Sequence, residues 1–566
     1  MPYFEGSELD IGYDQNTGNQ EVVVKYNGDI ASVAASFEAQ AEILSESYAI
    51  LGIGASKLGQ LALSPNVEHI EKPKNLVSNL KEAINMSCVG IAQSELSYKL
   101  TGKGVIVAVA DSGIDYTHPD FRNPDGTTRI LSIWDQGGQG TPPEGFITGA
   151  EHGSDEINAA LKLRQPFEAL PEMDYIGHGT AVAGAAAGNG RASGGVNIGV
   201  APEASIIAVK LGRSGDYFIR STELMRAVKY CIGKAQSLGM PISMNISYGS
   251  NDGSHDGYSL FERYIDNMSE KWKTVISVAS GNEGMGGHHF SATLNARETK
   301  EASFYTVGGL RSFYVTFWQN FSDEFYLTLI LPSGASTGEI LPSSQERQIR
   351  LENLKIYAFY GQPSHYNENQ EIYFQVQATG DSLPSGNWRI RIRAENVTEG
   401  RIDVWLPVTE EVTSQTAFSY PDPLVTLSLP STASRVITVG GYNHLLNSIA
   451  DFSGRGLTRL GDAKPDICAP AVGILAPKRG GGYDAFTGTS IAAPFVAGAA
   501  ALMMQWGIVQ KNDPFLFGQR VKAFLKSGAK RKAGIKYPDP SWGYGTLCLK
   551  SSIDSLVLYA DSSQWP

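Results

Sequence analysis

The sequence predicts an α/β protein: a doubly wound, parallel sheet, preceded by a small α/β unit and interrupted by an antiparallel β domain. Three features lead to that expectation. Short β-rich runs without polar alternation recur after Gly104, separated by helical patterns, as suits strands buried on both faces of a parallel sheet. Residues 288–428 break that rhythm with alternating aromatic and β-branched runs between turn-forming clusters. Residues 1–80 carry a strand and helix pattern of their own.

In the first unit EVVVKYN (21–27) alternates as a strand, and IASVAASFEAQAEILSES (30–47) has apolar residues at helical spacing. Two further short strands are expected before residue 72. NLVSNLKEAINMSCVGIAQ (75–93) is weakly periodic and reads as a linker. The parallel strands are expected at VIVAVAD (105–111), SIIAVKL (205–211), ISMNIS (242–247), TVISVAS (274–280) and VITVGG (436–441), with a helix over 222–239. In the insertion, SFYVTFWQNF, EFYLTLIL, KIYAFYG, EIYFQVQA, NWRIRIRAE and GRIDVWLP are expected to pair as a sandwich or jelly roll. The α/β pattern resumes near Leu429. The expected domains are 1–80, then 81–287 with 429–566, and 288–428 between them.

Composition narrows the function. The chain has 566 residues with 42% hydrophobic and 18% charged, which is ordinary for a folded protein. A formal charge of −12 has the wrong sign for broad contact with nucleic acid. The longest apolar run, Ile491 to Trp506, contains Pro494 and Gly498 and falls short of the roughly 20 residues of a membrane span. The N-terminus is acidic where a secretory signal is basic and then apolar, so synthesis in the cytoplasm without a cleavable signal is expected. Cys88, Cys231, Cys468 and Cys548 lie far apart without a CxxC pair, which argues against a disulfide scaffold or zinc ribbon and for buried thiols.

The chemistry-bearing residues lie where strands end, the place where open parallel sheets bind ligands. Asp111 closes VIVAVAD and opens DSGIDYTHPDF; by itself it reads as a cap or turn residue. His178 sits in GHGTAVAGAAAG, a turn entering a small-residue helix. Asn282, in SGNEG, follows a buried strand, and its amide has a donor to offer an oxyanion. Ser490, in FTGTSIAAPFVAGAAALMMQW, falls at or near the N-terminus of an apolar helix, with Pro494 in its first turn. It is an N-cap or a nucleophile backed by free amides and the helix dipole. Each residue has a bland reading, but together they supply an orienting acid, a base, an amide donor and an alcohol.

DSGIDYTHPDF, GHGTAVAG, SGNEG and GTSIAAP resemble, in order, the signature blocks of subtilisin-like serine proteases, and NISYGS, KPDICAP and WGYGTL resemble further blocks. The resemblance covers roughly residues 90–287 and 429–550. It implies a subtilisin-like sheet, with Asp111 orienting the imidazole, His178 as general base and acid, Ser490 as nucleophile, and Asn282 with the Ser490 amide as oxyanion hole. Ser247, Tyr248 and Gly249, with Ala279, Ser280 and Gly281, would be the two segments that pair with an extended protein substrate and wall its main pocket. Residues 1–80 resemble the family's ferredoxin-like propeptide, an inhibitor cut off by the enzyme itself, here near Leu80. The insertion and the missing signal peptide resemble the Csp proteases of clostridial spores, which process the precursor of a cortex-lytic hydrolase during germination; deposition in the spore would follow. No cofactor is required by the resemblance. Asp120 matches a frequent calcium ligand, but the loop NGRASGGVNIG does not match the rest of that site, so a metal stays unassigned. The insertion also replaces sequence that helps form the pocket floor.

Two other readings compete with a self-processing endopeptidase. One is a pseudoprotease acting as sensor or scaffold, which would be marked by loss of a triad residue; none is lost. The other makes the insertion a binding module whose Tyr314, Phe317, Trp318, Tyr373, Trp388 and Trp405 form a sugar platform, although alternating aromatics in a sandwich are more often core. Oligomeric state and cleavage preference leave no mark in the sequence.

Overall fold

The computed structural model describes residues 13–14, 19–71, 79–212, 219–342 and 346–562, which fall in two compact units, Met1–Val77 and Ser78–Pro566. Among the described residues the first unit is a five-stranded antiparallel sheet. Asn19–Tyr26 lies at its centre, with Tyr48–Gly54 and then Gln40–Ile43 on one side and Tyr13–Asp14 and Val67–Glu71 on the other. Alternation puts Val22, Val24, Leu51 and Ile53 on one face, under Ile30, Ala34, Leu58 and Leu61 from two short helices. The helix expected over 30–47 ends at Ser36. Glu38 takes a φ of 55°, and Gln40–Ile43 becomes a strand because Tyr48–Gly54 offers it a ladder.

In the second unit, Asn79–Met86 and Val89–Gln93 are helices, so most of the segment expected as a linker is structured. Among the described residues the main sheet has nine strands. Its parallel strands run in space as Ile130–Asp135, Ser205–Lys210, Ile106–Asp111, Ile242–Ile246, Thr274–Ala279, Ile437–Asn443 and Ile467–Pro470. Short antiparallel strands, Ala150–Gly153 and Ser448–Ile449, pair at either side. Successive residues serve two cores. Val107 and Val109 face the helices His178–Ala187 and Thr489–Met504, while Ile106, Ala108 and Ala110 face Ser221–Ser237 and Leu260–Ser269. That double burial explains the runs without polar alternation.

The inserted β region lies between His289 and Phe418, as six strands in one sheet and four in another among the described residues. Their inner faces share a core of Phe304, Phe317, Phe325, Phe374, Trp388 and Ile390. Of the aromatics proposed as a platform, Phe317, Trp388 and Trp405 are fully buried. Tyr314, Trp318 and Tyr373 are half-buried on the other face, where Tyr314 stacks on Tyr373 at 5.8 Å. Trp405 is held between the rings of His255 and His289, at 4.1 and 4.7 Å.

Two expectations need correction here. Cys88 and Cys548 form a disulfide across 460 positions of sequence, a pairing that spacing gives no hint of; Cys231 and Cys468 are buried free thiols as expected. The apolar run also makes a longer helix than expected. Thr489–Val509, 21 residues with a terminal π turn, is long and apolar enough to cross a membrane, but it lies inside the protein with 94% of its most apolar window buried. Its composition is that of a helix enclosed by protein on every side.

Candidate active site

The carboxyl ends of the central strands bring the candidate residues to one rim. Asp111 ends the strand Ile106–Asp111 and is fully buried. Its Oδ1 accepts the Ser112 amide and the His178 Nδ1–H, both at 2.7 Å, while Oδ2 is buried without a partner among the described residues. His178 is the first residue of its helix, after Gly177 at φ 85°. A Cβ on Gly179 would lie 2.1 Å from the Gly113 carbonyl and 3.1 Å from Asp111 Cβ, so only glycine lets the helix start this close to the Asp111 turn. The imidazole is 29% exposed, which leaves its Nε2 edge able to meet a substrate. Burial works against its cation, but the Asp111 charge and hydrogen bond, with the charge of Asp174, outweigh that and raise its pKa above 6.5.

Asp174 was not singled out from the sequence. It is buried and accepts from Ser112 Oγ, the Gly177 amide, and the amide and hydroxyl of Thr180, at 2.7 to 2.8 Å. It thereby ties the Asp111 turn to the His178 helix.

Ser490 is the second residue of the helix Thr489–Met504, where backbone amides have no intrahelical acceptor. Pro494 lies in the second turn, not the first as expected. Lacking an N–H, it leaves the Ser490 carbonyl without its helical partner. The Ser247 hydroxyl donates there instead at 2.9 Å, joining the serine to the Ser247–Gly249 segment. Asn282 Oδ1 accepts from the Thr489 amide and hydroxyl, both at 3.0 Å; since the amide can only donate, this fixes the Asn282 flip and frees Nδ2. A Cβ built on Gly488 would sit 3.0 Å from Ser490 Oγ and 3.7 Å from Asn282 Nδ2. The glycine keeps open the space into which both atoms point.

The Tyr248 ring meets His178 edge-on, 6.3 Å between centroids. His178 and Ser490 are therefore linked through consecutive residues, although no hydrogen bond joins the imidazole to the Ser490 hydroxyl in this state. Catalytic hydrogen bonds often shorten only when substrate is bound.

The two expected wall segments differ in what they offer. Tyr248 and Gly249 make no backbone hydrogen bond among the described residues, which suits strand addition by an extended chain. Ser280 is committed at both ends, its amide to Val439 and its carbonyl to the Ser428 amide, at 3.0 Å each, and the Gly281 carbonyl accepts from Gly454. Ala279–Gly281 therefore has less backbone capacity left for an added strand than Tyr248–Gly249. Ser428 occupies the slot between the walls: a Cβ on Gly281 would be 2.1 Å from its Oγ and one on Gly249 2.8 Å from its Cβ. The sequence reading missed it because it borders the insertion and belongs to no motif. Leu80 is in the first turn of Asn79–Met86; its side chain and residues 72–78 lie outside the described residues.

Asp120, the residue that matches a frequent calcium ligand, is fully buried. Its carboxylate already accepts the Ala192 amide at 2.9 Å and the Tyr483 hydroxyl at 2.7 Å. The buried Arg129 guanidinium donates to the carbonyls of Asp120, Ala187 and Ala204. Among the described residues no group of three or more His, Cys, Asp or Glu is placed to hold a metal ion.

A doubly wound sheet with a carboxylate-bound imidazole and a helix N-terminal serine at its carboxyl rim defines a serine protease fold. The chain belongs to the subtilase family, whose profile matches residues 102–402 and 412–545; the profile of the Csp protease B prodomain matches residues 5–74. Its fold is similar to that of the Clostridium perfringens CspB protease, with 37% identity, 84% of this chain and 98% of that one covered, and a TM-score of 0.78. It is 24% identical over 625 residues to the PI-type proteinase of Lactococcus lactis subsp. cremoris, covering 98% of this chain and 31% of that protein. It is also 24% identical over 491 residues to the minor extracellular protease Vpr of Bacillus subtilis (strain 168), covering 81% of this chain and 52% of the relative. The chain therefore spans about a third to a half of the length of these two relatives.

Proposed function

We propose that the chain is a serine endopeptidase in which Asp111 orients and charges His178, His178 takes the proton of Ser490, and Ser490 attacks a peptide carbonyl. The oxyanion would be held by Asn282 Nδ2 and the Ser490 amide, in the space that Gly488 leaves open. The observation that carries this is the 2.7 Å Asp111–His178 bond at the same rim as the Ser490–Asn282 space. Substrate would add to Tyr248–Gly249 as a strand. Ser428 shortens the pocket behind it, which favours a small or medium side chain before the cut bond.

In the same reading residues 1–80 are a ferredoxin-like propeptide, cut near Leu80 and retained as an inhibitor, residues 81–287 with 429–566 are the catalytic domain, and residues 288–428 are a jelly-roll-like insertion. The physiological substrate would be a protein precursor, the pro-form of a spore cortex-lytic hydrolase, with the protease deposited in the spore. The similarity to the CspB protease supports this assignment. Intact mass and N-terminal sequencing of the wild type and Ser490→Ala test it. The expected result is a cut near Leu80 in the wild type alone, together with fluorophosphonate labelling of Ser490. An uncut, unlabelled wild type overturns it.

A further inference from the structure

The insertion leaves the catalytic unit directly behind the oxyanion loop. Glu283, the residue after Asn282, is buried with 2% exposure, and its partners flank the first and last strands, in chain order, of the larger sheet of the sandwich. His288 precedes the strand His289–Thr293 and places Nδ1 2.6 Å from Glu283 Oε2. Its Nε2 faces the Thr416 carbonyl at 2.7 Å. Thr409, beyond the strand Arg401–Trp405, donates its amide to Oε1 at 3.2 Å and its hydroxyl to Oε2 at 3.1 Å. The two strands are themselves paired, and the Leu406 amide donates to the His288 carbonyl at 2.9 Å.

The loop has little other freedom. The Gly284 amide donates to Phe452, and a Cβ there would lie 2.1 Å from the Ser453 carbonyl. A Cβ on Gly286 would meet Glu283 Oε2 at 2.7 Å, so the chain folds tightly over that carboxylate. Asn282 is consequently held from two directions: by Thr489 at its side chain, and by Glu283 at the next peptide.

We infer that Glu283, with His288 and Thr409 of the insertion, is a positioning group for the oxyanion donor Asn282, so that the β-sandwich sets the efficiency of the catalytic centre through this carboxylate. A buried carboxylate that lost the Thr409 donors or its contact with His288 would have to move or take up a proton, because an unpaired charge is costly there. Either change displaces the adjacent peptide, and displacements of about 1 Å at a catalytic group cost up to about a hundredfold. The inference rests on the oxyanion role proposed for Asn282.

The test is the rate of fluorophosphonate labelling, resolved into its maximum rate and its half-saturating concentration, on the full chain. Glu283→Gln and Thr409→Val are each expected to lower the maximum rate about tenfold or more with half-saturation changed less than twofold, and Thr409→Ser is expected to restore it. In an Asn282→Ala background the same substitutions are expected to have no further effect, which a general loosening of the fold would not produce. Glu301→Gln, in an exposed sandwich ion pair, is the control and should label as wild type does. Unchanged maximum rates in both Glu283→Gln and Thr409→Val, or full additivity with Asn282→Ala, overturn the inference while leaving the triad intact. Labelling that persists in Ser490→Ala instead overturns the catalytic reading beneath it.

Discussion

The parallel sheet and the inserted sandwich both bury extensive apolar cores, but they treat their polar groups differently. At the rim of the parallel sheet the strands stop, and Asp111, at the end of the ladder, and His178, Asn282 and Ser490, beyond it, have hydrogen-bonding capacity still open. In and beside the sandwich two buried carboxylates are instead closed off by neighbouring groups. Asp403 accepts from His289, Arg401 and Arg459, and Glu283 meets His288 and Thr409. Open capacity at strand ends allows chemistry, whereas closed networks hold one domain against another. The difference teaches that aromatic and charged richness does not by itself mark a site, since Phe317, Trp388 and Trp405 of the insertion are fully buried.

Breaking the rim should cost turnover and spare the fold. Ser490→Ala is expected to lose roughly 10⁴–10⁶ in hydrolysis of a peptide substrate, with the melting temperature unchanged. Asp111→Asn should lose about 10⁴ in kcat. It should also shift the pH profile: in the wild type the base form of His178 is reached only above its raised pKa, so kcat/KM rises with pH along a limb above 6.5. Removing the Asp111 charge and bond withdraws the main causes of that rise, and the acid limb moves to lower pH.

Breaking the sandwich side should do the reverse. Trp405→Ala removes a fully buried ring stacked between two histidines and should destabilise the protein by about 3–5 kcal/mol in denaturant unfolding. The mildest effect expected is acid sensitivity. Burial raises the Asp403 pKa, but His289, Arg401 and Arg459 outweigh it and hold this carboxyl below its ordinary 3.8. A carboxylate with a depressed folded pKa contributes stability that is present above its unfolded value and lost as pH falls through the folded one. Melting temperature should therefore decline below about pH 4, and Asp403→Asn should flatten that decline while starting from a lower value at neutral pH.

Much of this molecule was legible in the sequence because its signals are local. The runs at 105–111, 205–211, 242–247 and 274–280 became strands of the parallel sheet to within a residue or two, and the periodicity over 222–239 became the helix Ser221–Ser237. The helix expected over 30–47 failed past Ser36 because a neighbouring strand, not the spacing of apolar residues, decides what Gln40–Ile43 does. Ser428, Asp174 and the Cys88–Cys548 pair carry no motif of their own, and Asp174 meets Ser112 across 62 positions while Cys88 meets Cys548 across 460.

The sequence by itself determined where strands end and which acid, imidazole, amide and alcohol follow them, since hydrophobic run length and turn residues act over a few positions. Only the tertiary structure decided that Ser247 takes the carbonyl left bare by Pro494, that Ser428 fills the space between Gly249 and Gly281, and that Glu283 leans on the insertion. Those contacts join segments far apart in the chain. A buried polar group accepts whatever donor the packing brings within about 3 Å, and no local pattern encodes which segment that will be.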